Sequence, residues 1–314
     1  MDSLELAYRY PFSSYARKEI ESHVPLLKND FLGAEAKKRL LNVLVNGEYP
    51  IKRSDSAETR KEELVIYAII RMMITNLANS YVTGRFAISF SKSFYNRVIS
   101  PKQEIDGELR MLLSEFGISY EKDGGNYLVD VHSFVKYAPQ SIDYNMLYRE
   151  VREGKARLSF DELKRLLQEA ITRHLLSIPK TETKDMHFSS MGNSVLSQIP
   201  KKENARVSFR EGDNPPCVEK LLEEMRQHRN LGHYARWSLA VYLMNRSVEY
   251  DDMLRIFSNS PDYSERIAGY QIKHIIEHKY SMPSCEKMRL YGLCVAQCGI
   301  VNPLQWGGKR NAGK

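Results

Sequence analysis

The chain carries four cysteines, and all of them fall in its last third: Cys217, Cys285, Cys294 and Cys298. The pattern is Cys-x67-Cys-x8-Cys-x3-Cys. Cys217 follows Pro215 and Pro216, Cys285 follows Pro283 and Ser284, and Cys294 follows Gly292 and Leu293. Proline and glycine set turns that can aim several sulfurs at one point, and free amides near helix starts stabilise thiolate charge. A remote first ligand would clamp the whole segment between residues 217 and 285 around one metal centre. Four thiolates suit a tetrahedral zinc as well as an iron–sulfur cluster. Spacing alone leaves both open, although the close CxxC pairs of zinc ribbons are absent. Four ordinary buried thiols are the plain alternative, made less attractive by their confinement to 82 residues.

With 314 residues the chain can form two domains with substantial cores. Its net charge of +7 is unevenly placed: residues 1–200 carry 28 basic against 26 acidic side chains, residues 201–314 carry 18 against 13. The excess in the cysteine-bearing part favours a polyanionic partner there. No signal peptide is visible at the acidic, polar start (Met1, Asp2, Ser3), and no run of about 18 apolar residues suits a membrane span. A cytoplasmic protein without membrane attachment is expected. In that compartment thiols stay reduced, which argues for metal ligation over disulfides.

Hydrophobic periodicity predicts a mainly α protein. Short helical segments over 4–50 are punctuated by Pro11, Pro25, Gly33, Gly47 and Pro50. A strong helix begins near Asp55, with Glu58 at capping-box spacing, and carries an apolar run through Leu77. Further helices are predicted over 85–98 and 104–116. The period then switches: Ile118 and Tyr120, a turn at Asp123-Gly124-Gly125, and Tyr127, Val129 and Val131 read as a β-hairpin in a small mixed subdomain. Ser159 and Glu162 form a capping box for the next helix. Residues 177–213 read as a linker, so the expected domains are 1–176 and 214–314. In the second, helices are predicted over 217–229, 233–245, 249–258 and 262–279, with a short one after Pro283. Within the stretch from Tyr263 to Lys279, the residues Ile267, Tyr270, Ile275 and Ile276 read as a broadly apolar side.

These residues resemble a known family, the large, non-catalytic subunit of archaeal and eukaryotic-type DNA primase. The likeness to its C-terminal iron–sulfur domain rests on Pro215-Pro216-Cys217, His233-Tyr234-Ala235-Arg236, Pro261-Asp262-Tyr263, Tyr270-Gln271-Ile272-Lys273-His274, Tyr280 through Cys285, and Gly292-Leu293-Cys294. Tyr10-Pro11-Phe12, the charged entry to the helix at 60–80, and the stretch Arg149 to Leu158 resemble its helical N-terminal domain. The resemblance implies one 4Fe-4S cluster on the four cysteines, in preference to zinc, and a small catalytic partner bound by residues 1–176. It implies further partners: single-stranded DNA template, RNA–DNA primer/template, the initiating nucleoside triphosphate and other replisome proteins. Two departures stand out. The family's usual His-Pro-Leu after the last cysteine is Asn302-Pro303-Leu304 here, and the Cys294–Cys298 interval is short. Cys298 is therefore the least secure ligand, and Asn302, a neutral amide, is a poor substitute beside thiolates.

No catalytic residue is expected in this chain. Phosphoryl transfer needs metal-bound carboxylates, and no compact Asp-x-Asp stands on a clear strand. Asp251-Asp252 reads as helix capping, and no Gly-Lys-Ser/Thr phosphate loop occurs. The cationic and aromatic set His233, Arg236, Tyr270, Lys273 and His274 is instead expected to grip nucleic acid or nucleotide. Arg236 offers a fork to phosphate, Lys273 a mobile charge, and an aromatic ring can stack on a base. The resemblance places His233, Arg236, Lys273 and His274 at family contact positions, with Lys273 where arginine is frequent. Trp237 reads as core. Arg226, Arg229, Lys287 and Arg289 are candidates for the rim. Competing functions are a zinc-stabilised nucleic-acid regulator without a polymerase partner, and an iron–sulfur nuclease or radical enzyme. Such an enzyme needs an additional chemical site, and the radical class normally depends on a close three-cysteine pattern that this sequence lacks.

Overall fold

The computed structural model describes residues 2–139, 142–177, 185–199 and 213–307. The chain is mainly helical with one small antiparallel sheet, and it divides into two units: Met1–Pro139 with Tyr144–Pro200, and Gln140–Asp143 with Lys201–Lys314.

In the first unit, α1 (Ser3–Arg9) and α2 (Ser14–Glu21) lead into α3 (Asp30–Asn46), α4 (Ala57–Leu77) and α5 (Ser80–Phe94). The start of α4 differs by one residue from expectation: Ser56, not Asp55, accepts from the Thr59 amide and forms the N-cap. Helix α5 places Phe86, Phe90 and Phe94 four residues apart on one buried face. Phe12 meets Phe94 edge-on at 5.1 Å, and Tyr49 tilts against Phe90 at 4.8 Å. Full burial of each ring stabilises the unit by roughly 1.5–3 kcal/mol.

Two arginines that periodicity does not reveal lie inside this core. Arg39, only 3% exposed, donates to Glu35 at 3.0 Å and forks onto Glu63, with its Nη2 at 2.6 Å from one oxygen. Burial pushes the Glu63 carboxyl up, but the Arg39 fork and Lys52 overrule it and hold the group below its ordinary range. Arg85 donates to the Val43 and Val45 carbonyls at the end of α3, which closes at Gly47 in the left-handed region.

Next come α6 (Gly107–Glu115), β1 (Tyr120–Asp123), β2 (Asn126–Asp130) and α7 (Val131–Tyr137). Val131 does not continue the strand. Asp130 accepts from the His132 and Ser133 amides and turns the chain into α7 there. A second hairpin, β3 (Val151–Arg152) and β4 (Lys155–Leu158), completes a sheet ordered β1-β2-β4-β3. Val129 lies opposite Ala156, and these two with Leu158 form the buried face. Helix α8 (Phe160–Leu176) opens with the expected reciprocal Ser159–Glu162 capping box. Residues 178–184 and 200–212 of the 177–213 stretch lie outside the described residues. Between them runs a helix that sequence punctuation hides, α9 (Met186–Leu196), packed on α3 and α4. Gly192 permits the approach, because a Cβ there would sit 2.6 Å from Leu77 Cγ.

The second unit comprises α10 (Pro216–Arg226), α11 (His233–Asn245), α12 (Tyr250–Phe257), α13 (Glu265–His278) and the short α14 (Cys285–Leu290). Helix α11 is buried from Ser238 through Leu243 and forms the centre, with α10 and α13 packed against it. The inward face of α13 is Gly269, Ile272 and Ile275. Ile267, Tyr270 and Ile276 are exposed, so the expected apolar side of that helix holds only for Ile275. Among the described residues no helix is long and apolar enough to cross a membrane.

Candidate functional site

The four cysteines meet. Cys217, Cys285, Cys294 and Cys298 line one recess, together with Pro215, Met288, Arg289, Val295, Ala296 and Ile300. Each arrives by a local device. Pro215 is the N-cap of α10 and Pro216 its first residue, so Cys217 follows in the first turn and is buried. Ser284 caps α14 by accepting from the Lys287 amide, and Cys285 is the first residue of that helix. Gly292, at φ 70°, ends α14 and sends the chain through Leu293 to Cys294. The Cys294 and Cys298 thiols both point at the Ala296 carbonyl, at 3.4 and 3.6 Å. A backbone bond from Cys285 N to Val301 O, 2.9 Å, folds the last loop back over α14.

Burial first, and the neighbouring cysteines second, disfavour charge on the Cys217 and Cys285 thiols. Burial pushes the Cys217 thiol up to about 11, the Val218 amide opposes, and each of the other three cysteines raises it further. Burial also raises Cys285, with Cys294 and Cys298 adding and Arg289 opposing. All four are free thiols. Without metal, Cys217 and Cys285 stay protonated near neutral pH. With it, the four sulfurs supply a soft donor set. Among the described residues no group of three or more His, Cys, Asp or Glu side chains is drawn tightly around one point as an ion's ligands would be. The donor chemistry and the shared recess nonetheless fit a thiolate-bound metal group. Asn302 is spent elsewhere: its side chain accepts from the Leu304 amide and donates to the Met282 carbonyl.

The expected nucleic-acid residues fall on two helices of the same unit. His233 opens α11, exposed, with Arg236 one turn on. Arg236 is not a free fork. Its Nε donates to Leu231 O at 2.7 Å, and Nη2 reaches Asn230 and Asp262, both at 2.6 Å. It thereby holds the loop before α11 against the Pro261-Asp262 turn, and Nη1 has no partner among the described residues. On α13, Tyr270, His274 and His278 follow one another at four-residue intervals, so they share a face. Tyr270 is 72% exposed and stacks toward His274, and the His274 and His278 rings lie 4.0 Å apart. His274 Nε2 is 3.1 Å from the Tyr280 hydroxyl, and Tyr280 meets Trp237 edge-on. Trp237 is partly buried and packs on the core, as its sequence reading has it. Lys273 is exposed and lies over the Tyr250 ring at 5.7 Å. Asp251 and Asp252 occupy the first turn of α12, and Asp252 pairs with Arg255.

Sequence reasoning misses three features here. His278 and Tyr280 extend the aromatic ladder, which the four-residue spacing of Tyr270, His274 and His278 could have shown. Tyr291 stacks on Tyr234 at 4.4 Å and ties α14 to α11. Arg289, read as rim, lines the cysteine recess.

The second unit is thus a helical domain that gathers four cysteines in one recess and carries exposed aromatic and cationic side chains on α13. Residues 208–306 match the family described as the C-terminal domain of the large subunit of eukaryotic and archaeal DNA primase. The likeness extends well beyond that segment. The chain is 26% identical to the DNA primase large subunit PriL of Methanocella arvoryzae over 95% of its own length and 85% of that protein. It is 26% identical to PriL of Methanococcoides burtonii, covering 99% and 93% of the two chains. Against PriL of Methanopyrus kandleri it is 33% identical over 49% of this chain and 40% of that one. The chain is thus similar to archaeal DNA primase large subunits over nearly its whole length, and its C-terminal segment matches the domain family of that subunit.

Proposed function

We propose that this chain is the regulatory, non-catalytic subunit of a heterodimeric DNA primase, acting in RNA primer synthesis for DNA replication. The observation that carries the reading is the meeting of Cys217, Cys285, Cys294 and Cys298 in one recess, inside the segment that matches the C-terminal domain of primase large subunits. In this reading residues 1–176 bind the small catalytic subunit, the 177–213 stretch connects but contributes α9 to the first unit, and 214–314 form the template- and nucleotide-binding domain. The protein works in the cytoplasm at the replisome.

The four thiols would hold one 4Fe-4S cluster, whose iron–thiolate bonds supply a clamp joining α10, α14 and the last loop. This chain's own residues do the recognition. His233 and the free Nη1 of Arg236 face phosphate at the start of α11, and Asp262 keeps the guanidinium aligned. Lys273 adds positive charge, and Tyr270 presents an open ring for a base. The initiating triphosphate and the single-stranded template are held here while the partner subunit forms the bond.

The test is primer initiation by the complex reconstituted with a catalytic primase subunit. Arg236→Ala is expected to weaken binding of the initiating nucleotide about tenfold and to reduce initiation in parallel, with iron content unchanged. Arg236→Lys, which keeps the charge but loses the fork, should fall between. Nucleotide affinity and initiation equal to wild type in Arg236→Ala would contradict the assignment.

A further inference from the structure

Among the side chains that line the cysteine recess, one carries a full charge. Arg289 stands four residues after Cys285 on α14, which brings the two onto one face of the helix. The rest of the lining besides the thiols is Pro215, Met288, Val295, Ala296 and Ile300, all apolar. Among the described residues the Arg289 guanidinium makes no ion pair, whereas Arg226 and Arg236 of the same unit each have a carboxylate partner. Lys287, two residues earlier on α14, is also exposed but does not line the recess.

This arrangement matters because of charge. Four thiolates around a 4Fe-4S core leave roughly two net negative charges, and adding one electron makes that roughly three. A largely apolar lining does nothing to offset them. We propose that Arg289 is a positioning residue for the metal group: a counter-charge at the mouth of the recess that stabilises the thiolate-bound cluster and sets its reduction potential. It rests on the cluster reading above and goes beyond it. Arg289 then belongs to the metal centre rather than to the nucleic-acid rim. Because the side chain is exposed, solvent screens it, so the effect is modest and salt-dependent.

The experiment uses the full chain, purified anaerobically and poised at an electrode that supplies the single electron. Arg289→Gln is expected to keep the wild-type iron and sulfide content and to lower the reduction potential. At a fixed potential the reduced-to-oxidised ratio should fall about threefold, roughly 30 mV for one electron. Arg289→Lys should lie closer to wild type, and Lys287→Gln should leave the potential where it is. An unchanged potential in Arg289→Gln with full iron overturns the proposal, as does an equal shift in Lys287→Gln, which would make it a net-charge effect. An unchanged potential together with weaker single-stranded DNA binding returns Arg289 to the rim. A wild-type chain without iron removes the cluster reading and this one with it.

Discussion

The two units solve the problem of burial differently. The first closes over a broad core in which Phe86, Phe90, Phe94, Phe134 and Tyr10 are almost fully enclosed, and every wall is built of side chains. The second has a smaller core of Leu, Val, Ile and Met, with Tyr242 and Phe257 its buried aromatics among the described residues. One wall of that core is Cys217 and Met288, backing onto the recess of the four thiols. A small domain with a modest core commonly needs a staple. The first unit carries its stability in packed rings. On the proposed cluster reading, the second leaves part of it to the group that would join its sulfurs.

Substitutions sharpen that contrast, and the largest effect belongs to the thiols. Cys217→Ser should abolish iron retention and cost most of the second unit's stability, on the order of 5 kcal/mol. Hydrogen exchange would show protection lost over α10–α14 and kept over α3–α5. Phe90→Ala should produce the reverse pattern, a loss of about 3–5 kcal/mol in the first unit with iron content intact. Glu63→Gln removes the carboxylate that Arg39 forks onto, leaves the buried guanidinium with Glu35 as its remaining carboxylate partner, and should cost the first unit about 3 kcal/mol by denaturant unfolding. The same pair sets a pH dependence. Since Glu63 titrates below its ordinary value in the fold, its contribution is fully present above pH ~4.3 and is lost as pH falls through the depressed value. Acid unfolding of wild type should show that loss, and Glu63→Gln should flatten it. Gly192→Ala is the smallest of the set, about 1–3 kcal/mol, because a Cβ at 2.6 Å from Leu77 overrides the helix preference for alanine. Thermal unfolding that left Gly192→Ala as stable as wild type would mean α9 packs less closely on α4.

Much of this division is readable from local chemistry. Ser159 and Glu162 announce α8, Pro215-Pro216 announces α10, and the Asp123-Gly124-Gly125 turn announces the first hairpin, because each signal acts within a few residues. The second hairpin is hidden. Its strands are Val151-Arg152 and Lys155–Leu158, where Arg152, Lys155 and Arg157 mask the alternation and only Ala156 and Leu158 face inward. Helix α9 is hidden by Ser189, Ser190, Gly192 and Asn193, residues that punctuate a sequence but here let α9 lie flat on α3 and α4. The side of α13 that faces in is not the one its apolar residues suggest: Ile267 and Ile276 are exposed, and the buried positions are Gly269, Ile272 and Ile275. At the site the cysteines are legible as ligand candidates by type and confinement. Their convergence depends on tertiary folding, as does the locking of Arg236 by Asp262 and the placement of Arg289.

The most direct measurement is iron and acid-labile sulfide per chain, taken on protein purified anaerobically in complex with a catalytic primase subunit. About four irons and four sulfides per chain are expected, with visible absorption that disappears in Cys217→Ser and Cys298→Ser. One zinc per chain, or a metal-free chain of undiminished stability, would contradict the assignment of the four cysteines to a single iron–sulfur centre.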